Sequence, residues 1–160
     1  MFGLSKTELL YKEYVKELGR YNEDLASMTD MDIMETVRSY KRQKDTEWID
    51  IYYNEKIVGF LIISSNEDEC HPDADKDICQ LYVMPQYRRH RLAYNAVFNY
   101  LSTHPGLYSY DIINGNITAS IFWNKTLSSL GAKCFELKEV RNDQIANSVT
   151  LYGCMIDKNA

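Results

Sequence analysis

The chain has 160 residues, of which 45% are hydrophobic, and its 18 Lys and Arg against 23 Asp and Glu give a formal charge of −5. This size predicts one domain over residues 1–160, and the acidic balance argues against broad binding to nucleic acid or anionic membranes. No apolar run approaches the roughly 20 residues of a membrane span, and four cysteines without a CxxC pair suggest no disulfide framework, so we expect a soluble, cytoplasmic protein.

Two helices open the predicted fold. Ser5 stands three residues before Glu8, which is capping-box spacing, and apolar residues then recur at helical intervals up to Gly19. A second amphipathic helix begins near Thr29 or Asp30 and ends in a basic segment, which suits the carboxyl end of a helix.

Strands follow the two helices. Residues 48–53 and 57–64 are β-branched and aromatic runs, and the three residues between them predict a hairpin turn. Residues 65–77 are polar and without periodicity, which predicts a loop. The next strand covers 78–83, and Pro85 closes it.

The second half of the chain alternates helices and strands. The predicted elements are a helix from Leu92 stopped by residues 103–106, a strand 108–113, a helix from Ala119 to Gly131, and strands 133–139 and 148–156. Strand, helix and strand in this order make a parallel crossover unit. The whole pattern predicts a mixed α/β fold with an antiparallel start, one parallel crossover and an antiparallel finish.

A cluster of positive charge lies between the strand 78–83 and the helix that begins at Leu92. It consists of Arg88, Arg89, His90 and Arg91. The first N–H groups of a helix lack partners and lie at the positive end of its dipole, so this junction is suited to binding a phosphate or pyrophosphate. The alternative is a solvated basic loop that pairs with carboxylates elsewhere in the chain.

Two sequence motifs stand in order along the chain. The first is a strand with Leu81 and Val83 followed by residues 88–93, "RRHRLA", and the second contains Asn116, Ala119, Phe122, Trp123 and Lys125. They resemble the GNAT superfamily of acyl-CoA-dependent N-acyltransferases, whose motifs are R/Q-x-x-G-x-G/A after a strand and N-x-x-A-x-x-F/L-Y-x-K, except that Arg91 occupies the middle glycine position of the first. The ordered pair is more specific than either motif alone.

The resemblance implies a fold and a ligand. The fold is a single α/β (α+β) domain with a twisted, mostly antiparallel sheet of about six strands, flanked by helices, in which two parallel strands splay to form the acyl-CoA cleft. The strand with which family members usually open would be absent or vestigial here, because only residues 1–4 precede the first helix. The residues expected to bind acetyl-CoA are Leu81, Tyr82, Val83, Arg88, Arg89, His90, Arg91, Leu92, Ala93, Asn116, Ala119, Trp123 and Lys125.

The implied reaction is direct transfer of an acetyl group to a primary amine of a small molecule or protein, by a monomer or homodimer. Backbone N–H groups of residues 81–83 would polarise the thioester carbonyl. Gln80 stands at a usual position of the general base but cannot accept a proton at neutral pH. Asp77 is the other candidate, on the strand face opposite Gln80 by period-two geometry; it could instead be a solvated aspartate at the strand entrance.

Departures from the family pattern leave an alternative function open. Trp123 stands where the family often has a tyrosine that protonates the departing thiolate, and it could equally be core packing. A non-catalytic protein of the same fold, binding coenzyme A or a protein partner, would also explain the substitutions at Gln80, Arg91 and Trp123. No metal site is predicted, since Cys70, His71 and Cys79 have no fourth ligand at a recognised spacing.

Overall fold

The structure is a computed structural model that describes residues 3–66, 71–137 and 149–157. Its helices are α1 (Lys6–Leu18), α2 (Glu23–Ala26), α3 (Asp30–Arg42), α4 (Leu92–Thr103) and α5 (Ile117–Ser129). Its strands are β1 (Thr46–Tyr53), β2 (Lys56–Ser64), β3 (Lys76–Val83), β4 (Gly106–Ile113), β5 (Lys133–Glu136) and β6 (Val149–Ile156). A 3₁₀ segment, Pro85–His90, connects β3 to α4.

Side-chain caps fix the starts of α1 and α3; the sequence predicted the cap of α1, and the start of α3 but not its cap. The Ser5 hydroxyl accepts a hydrogen bond from the Glu8 N–H at 3.2 Å, and the Glu8 carboxylate accepts one from the Ser5 N–H at 2.8 Å. Thr29 and Asp32 form the same reciprocal pair at the start of α3. The short helix α2 was not predicted, because four residues are too few to show a helical period.

The six strands form one sheet in the order β1-β2-β3-β4-β6-β5. All neighbours are antiparallel except β3 and β4, which confirms the predicted mixed topology. The β1–β2 turn consists of Asn54 and Glu55 alone, both with positive φ, so Lys56 already belongs to β2. Two consecutive left-handed residues match the twist of a tight hairpin.

Other boundaries differ slightly from the prediction. β3 begins at Lys76, inside the predicted polar loop, and β4 begins at Gly106, inside the predicted helix stop. β5 ends at Glu136, before the predicted end at 139, and β6 covers 149–156 of the predicted 148–156. Residues 138, 139 and 148 of these two spans lie outside the described residues. None of residues 3–5 forms a strand, and residues 1–2 lie outside the described part of the chain.

Helices cover both faces of the sheet. On one face α4 and α5 pack against the sheet through a core that includes Val97, Leu101 and Leu127. On the other face α1 and α3 contribute a second core that includes Val15 and Ile33. These two faces are called here the α4/α5 face and the α1/α3 face. In the described part of the chain, none of the helices combines the length and apolarity that a membrane crossing requires.

Candidate active site

The two parallel strands separate in the middle of the sheet. They pair at three positions, Lys76 with Tyr108, Asp77 with Ser109 and Ile78 with Tyr110. Beyond these pairs β3 continues to Val83 and β4 continues to Ile113 without further pairing between them. The diverging strands therefore leave a gap between them, as the resemblance implies.

A cleft of about 950 Å³ runs through this gap. Its walls come from α1, α3, both diverging strands, the start of α4 and the first turns of α5. The predicted site residues that line it are Asp77, Gln80, Leu81, Tyr82, Val83, Arg88, Arg91, Ala93, Asn116, Ala119, Trp123 and Lys125. Residues far apart in the two motifs thus share one cavity.

A β-bulge reverses the expected orientation of Asp77. Ile62 pairs with Gln80 whereas Ile63 pairs with Ile78, so Cys79 is an extra residue in β3. Lys76 and Ile78 contact the α4/α5 face, and Asp77 between them points to the α1/α3 face. Gln80 points to the same face, so the prediction that the two side chains lie on opposite faces is wrong. The bulge cancels the period-two alternation.

Two tyrosines hold the Gln80 side chain. The Tyr14 hydroxyl of α1 donates to Gln80 Oε1 at 2.5 Å, and Gln80 Nε2 donates to the Tyr40 hydroxyl of α3 at 3.1 Å. Burial raises the pKa of Tyr14 well above its usual value, with the neighbouring Tyr11 and Asp111 adding to the effect. Tyr14 therefore stays protonated and remains a donor. Gln80 is a fixed polar contact between the α1/α3 face and the gap.

Asp77 lies where the strands are still paired. Its Oδ1 accepts a hydrogen bond from the Ser109 hydroxyl at 2.7 Å. Ser109 is the direct neighbour of Asp77 across the parallel pair. The aspartate is half-buried and lines the cleft, so it is more than the solvated loop residue that the sequence left possible.

The junction between the 3₁₀ segment and α4 has an unusual backbone. Arg91 precedes α4 in the left-handed conformation at φ 57°, which glycine adopts without cost, and this accounts for the glycine that the family has here. Its guanidinium lies over the Tyr94 ring at 4.4 Å. Of the described residues, none caps the start of α4 with its side chain, so its first N–H groups face the cleft region without such partners.

Arg88 points toward α1 and is engaged within the protein. One guanidinium nitrogen donates to Glu17 at 2.6 Å, and Nε donates to the Val83 carbonyl at 2.8 Å. The side chains of Arg88 and Glu17 keep 41% and 33% of their surface exposed. The alternative that the sequence left open, a basic loop paired with carboxylates, is thus observed for Arg88. The same side chain also lines the cleft.

Three of the predicted residues do not line the cleft with their side chains. Leu92 packs into a small core with Val83 and Ile51, and the His90 ring lies 4.5 Å from the Tyr53 ring. Arg89 is exposed. Any contact of these residues with a coenzyme would be made by the backbone, and their assignment stays a prediction.

The second motif forms the opposite wall. Asn116 caps α5 through Oδ1, which accepts from the Ala119 N–H at 3.2 Å. Trp123 is 8% exposed, packs against Tyr110 at 5.4 Å between ring centres, and also borders the cleft. Trp123 therefore serves as core packing and borders the cleft, while its contact with a coenzyme stays a prediction.

The sequence-based prediction missed several cleft residues. Asp111 of β4 lies between Tyr110 and Ile112, which both pack on the α4/α5 face, so its carboxylate points to the α1/α3 face. Its only sequence signal is a single acidic residue within an apolar strand. Tyr14 and Glu17 gave no signal, because on a surface helix they resemble ordinary amphipathic positions.

Comparison with known families agrees with this geometry. Residues 8–109 match the sequence profile of the acetyltransferase (GNAT) family, which is more than half of the chain. The chain belongs to the GNAT family. No curated protein matches it by sequence.

Solved structures show the same GNAT fold. An acetyltransferase from Thermus thermophilus aligns with a TM-score of 0.63 at 15% identity, over 92% of this chain and 90% of that chain. The PaiA N-acetyltransferase from Thermoplasma acidophilum, solved in complex with coenzyme A, aligns at 0.60 and 10% identity, over 92% and 89%. A ribosomal-protein-alanine N-acetyltransferase from Brucella melitensis aligns at 0.59 and 16% identity, over 92% and 90%. These structural alignments show the GNAT fold, and at such low sequence identities they leave the acceptor open.

Proposed function

We propose that this protein transfers an acetyl group from acetyl-CoA directly to a primary amine of a small molecule or protein. The observation that carries the proposal is the gap that opens between β3 and β4 after Ile78 and Tyr110 and continues to the start of α4. A thioester lying in this gap would meet those backbone N–H groups of residues 81–83 that face away from β2, which would polarise its carbonyl.

The basic end of the cleft supports the coenzyme part of the proposal. The N–H groups that open α4 and the positive end of its dipole suit a pyrophosphate, and the adjoining Arg88, Arg91 and Lys125 add charged donors. Asn116 and Trp123 would line the pantetheine arm from α5. Family membership and the fit of these groups point to the same ligand.

Acyl transfer also needs a proton acceptor and a leaving group. A thiol has a pKa near ~8.5 and leaves without much help, so the absence of a tyrosine at Trp123 does not prevent turnover. The sequence-based candidate for the base is Asp77, with Gln80 as a polar contact beside it. Both lie on the α1/α3 face of the cleft.

The test is release of free thiol from acetyl-CoA over a panel of primary amines, measured together with coenzyme A binding by calorimetry. We expect binding, and release that depends on the amine. Binding without release on any amine would support the non-catalytic alternative. Absence of binding would reject acetyl transfer and the coenzyme-binding form of the alternative, and would leave only a non-catalytic protein that binds a protein partner.

A further inference from the structure

Only a few groups that line the cleft could accept a proton from an amine. Of the described residues, no histidine lines it, and the carboxylates that do are Glu17, Asp77 and Asp111. Gln80, at the usual position of the base, has no proton-accepting group at neutral pH. The choice therefore falls among three carboxylates.

The side from which the acceptor approaches narrows this choice. α4 and α5, whose first turns border the proposed coenzyme site, cover one face of the gap. The acceptor amine must then approach the thioester from the α1/α3 face. Asp77 and Asp111 both point to this face, because their neighbours along each strand pack on the other one.

Position along the strands separates the two aspartates. Asp77 pairs directly with Ser109, before the strands diverge, and its Oδ1 already accepts the Ser109 hydroxyl. Asp111 comes immediately after Tyr110, the last residue of β4 that pairs with β3, so it borders the open gap. Glu17 is bound to Arg88 at 2.6 Å and lies toward the basic end of the cleft.

We propose that Asp111 is the general base of the transfer reaction, an inference that rests on the proposed function. The amine lone pair forms the new C–N bond at the thioester carbon, and the C–S bond breaks. The proton lost by nitrogen passes to the Asp111 carboxylate and then to the departing thiolate or to solvent, so the products are the amide and the free thiol. Asp77 and Ser109 lie on the same face, where the two strands are still paired.

The experiment compares Asp111→Asn and Asp111→Ala with the matched variant Asp77→Asn. Each is assayed for thiol release with the best amine of the panel and for coenzyme A binding by calorimetry. We expect Asp111→Asn to lower kcat by about 100-fold or more while the coenzyme Kd is unchanged, since general bases contribute about 10²–10⁴-fold. Asp77→Asn should lower it far less. Added formate, a small carboxylate that fits the space left by the deletion, should restore part of the rate of Asp111→Ala.

The outcomes separate this inference from the proposed function. If the wild type releases thiol and Asp111→Asn is equally active, the assignment to Asp111 is refuted and the acetyltransferase proposal remains intact. If formate does not restore the rate of Asp111→Ala, the rate was lost for a reason other than the missing carboxylate, such as a folding defect. This result also refutes the assignment. A wild type that binds coenzyme A but releases no thiol with any amine rejects the reaction itself, and the assignment with it.

Discussion

The ion pair between Arg88 and Glu17 leads to a prediction about coenzyme affinity. If Arg88 binds a phosphate of the coenzyme, it must first give up Glu17, so this glutamate competes with the ligand. Replacing it by glutamine removes the competing charge and keeps the shape of the side chain. We therefore expect Glu17→Gln to bind coenzyme A more tightly than the wild type.

The magnitude follows from the exposure of the pair. Because 41% and 33% of the two side chains remain exposed, solvent screening limits the pair to about 0.5–1 kcal/mol despite its 2.6 Å distance. Since about 1.4 kcal/mol corresponds to tenfold in affinity, Glu17→Gln should lower the coenzyme Kd about 2–5-fold. Arg88→Ala loses a charge-assisted bond of about 1.5–3 kcal/mol to phosphate and is spared the cost of about 0.5–1 kcal/mol for breaking the pair, so its Kd should rise about 2–60-fold.

Calorimetric titration with coenzyme A at low and high salt measures both changes. The effect of Glu17→Gln should disappear in the Arg88→Ala background and shrink at high salt, because salt screens exposed charges. Glu13→Gln is the matched control, an exposed glutamate of α1 that does not line the cleft. If Glu17→Gln weakens binding, or Arg88→Ala leaves it unchanged, Arg88 instead holds α1 against the end of β3.

Three further predictions concern stability. Leu127→Ala should lower the free energy of unfolding in urea by about 2–5 kcal/mol, because the side chain is 0% exposed in the α4/α5 core; a negligible loss would contradict this packing. Gly59→Ala should prevent cooperative folding, judged by thermal melting, since its Cβ would overlap the Tyr82 carbonyl oxygen; a normal melting transition would contradict this close approach of the two backbones. Hydrogen bonds from Thr29 lower the pKa of Asp32. The ionised Asp32 carboxylate therefore stabilises the fold at neutral pH, and this stabilisation is lost as the pH falls through the lowered pKa. Asp32→Asn should accordingly destabilise at neutral pH and match the wild type in acid, and an equal deficit in acid would contradict the assignment.

Much of the fold could be predicted because its signals are local. Ser5 with Glu8 and the start at Thr29 are capping patterns within one turn, and the Asn54–Glu55 hairpin lies between two β-rich runs. The two GNAT motifs are likewise contiguous stretches. Their order along the chain was enough to predict the family, and the succession of strand, helix and strand was enough to predict the parallel crossover. The coenzyme end of the cleft stays a prediction.

The α1/α3 side of the cleft was decided by tertiary structure alone. The bulge at Cys79 arises from the pairing of β3 with β2, and it turns Asp77 toward Gln80 against the expected alternation. Asp111 reaches the gap only because β4 diverges from β3, and Glu17 meets Arg88 across 71 positions of sequence. Such contacts depend on how distant elements pack against one another. Local periodicity and spacing carry no information about them.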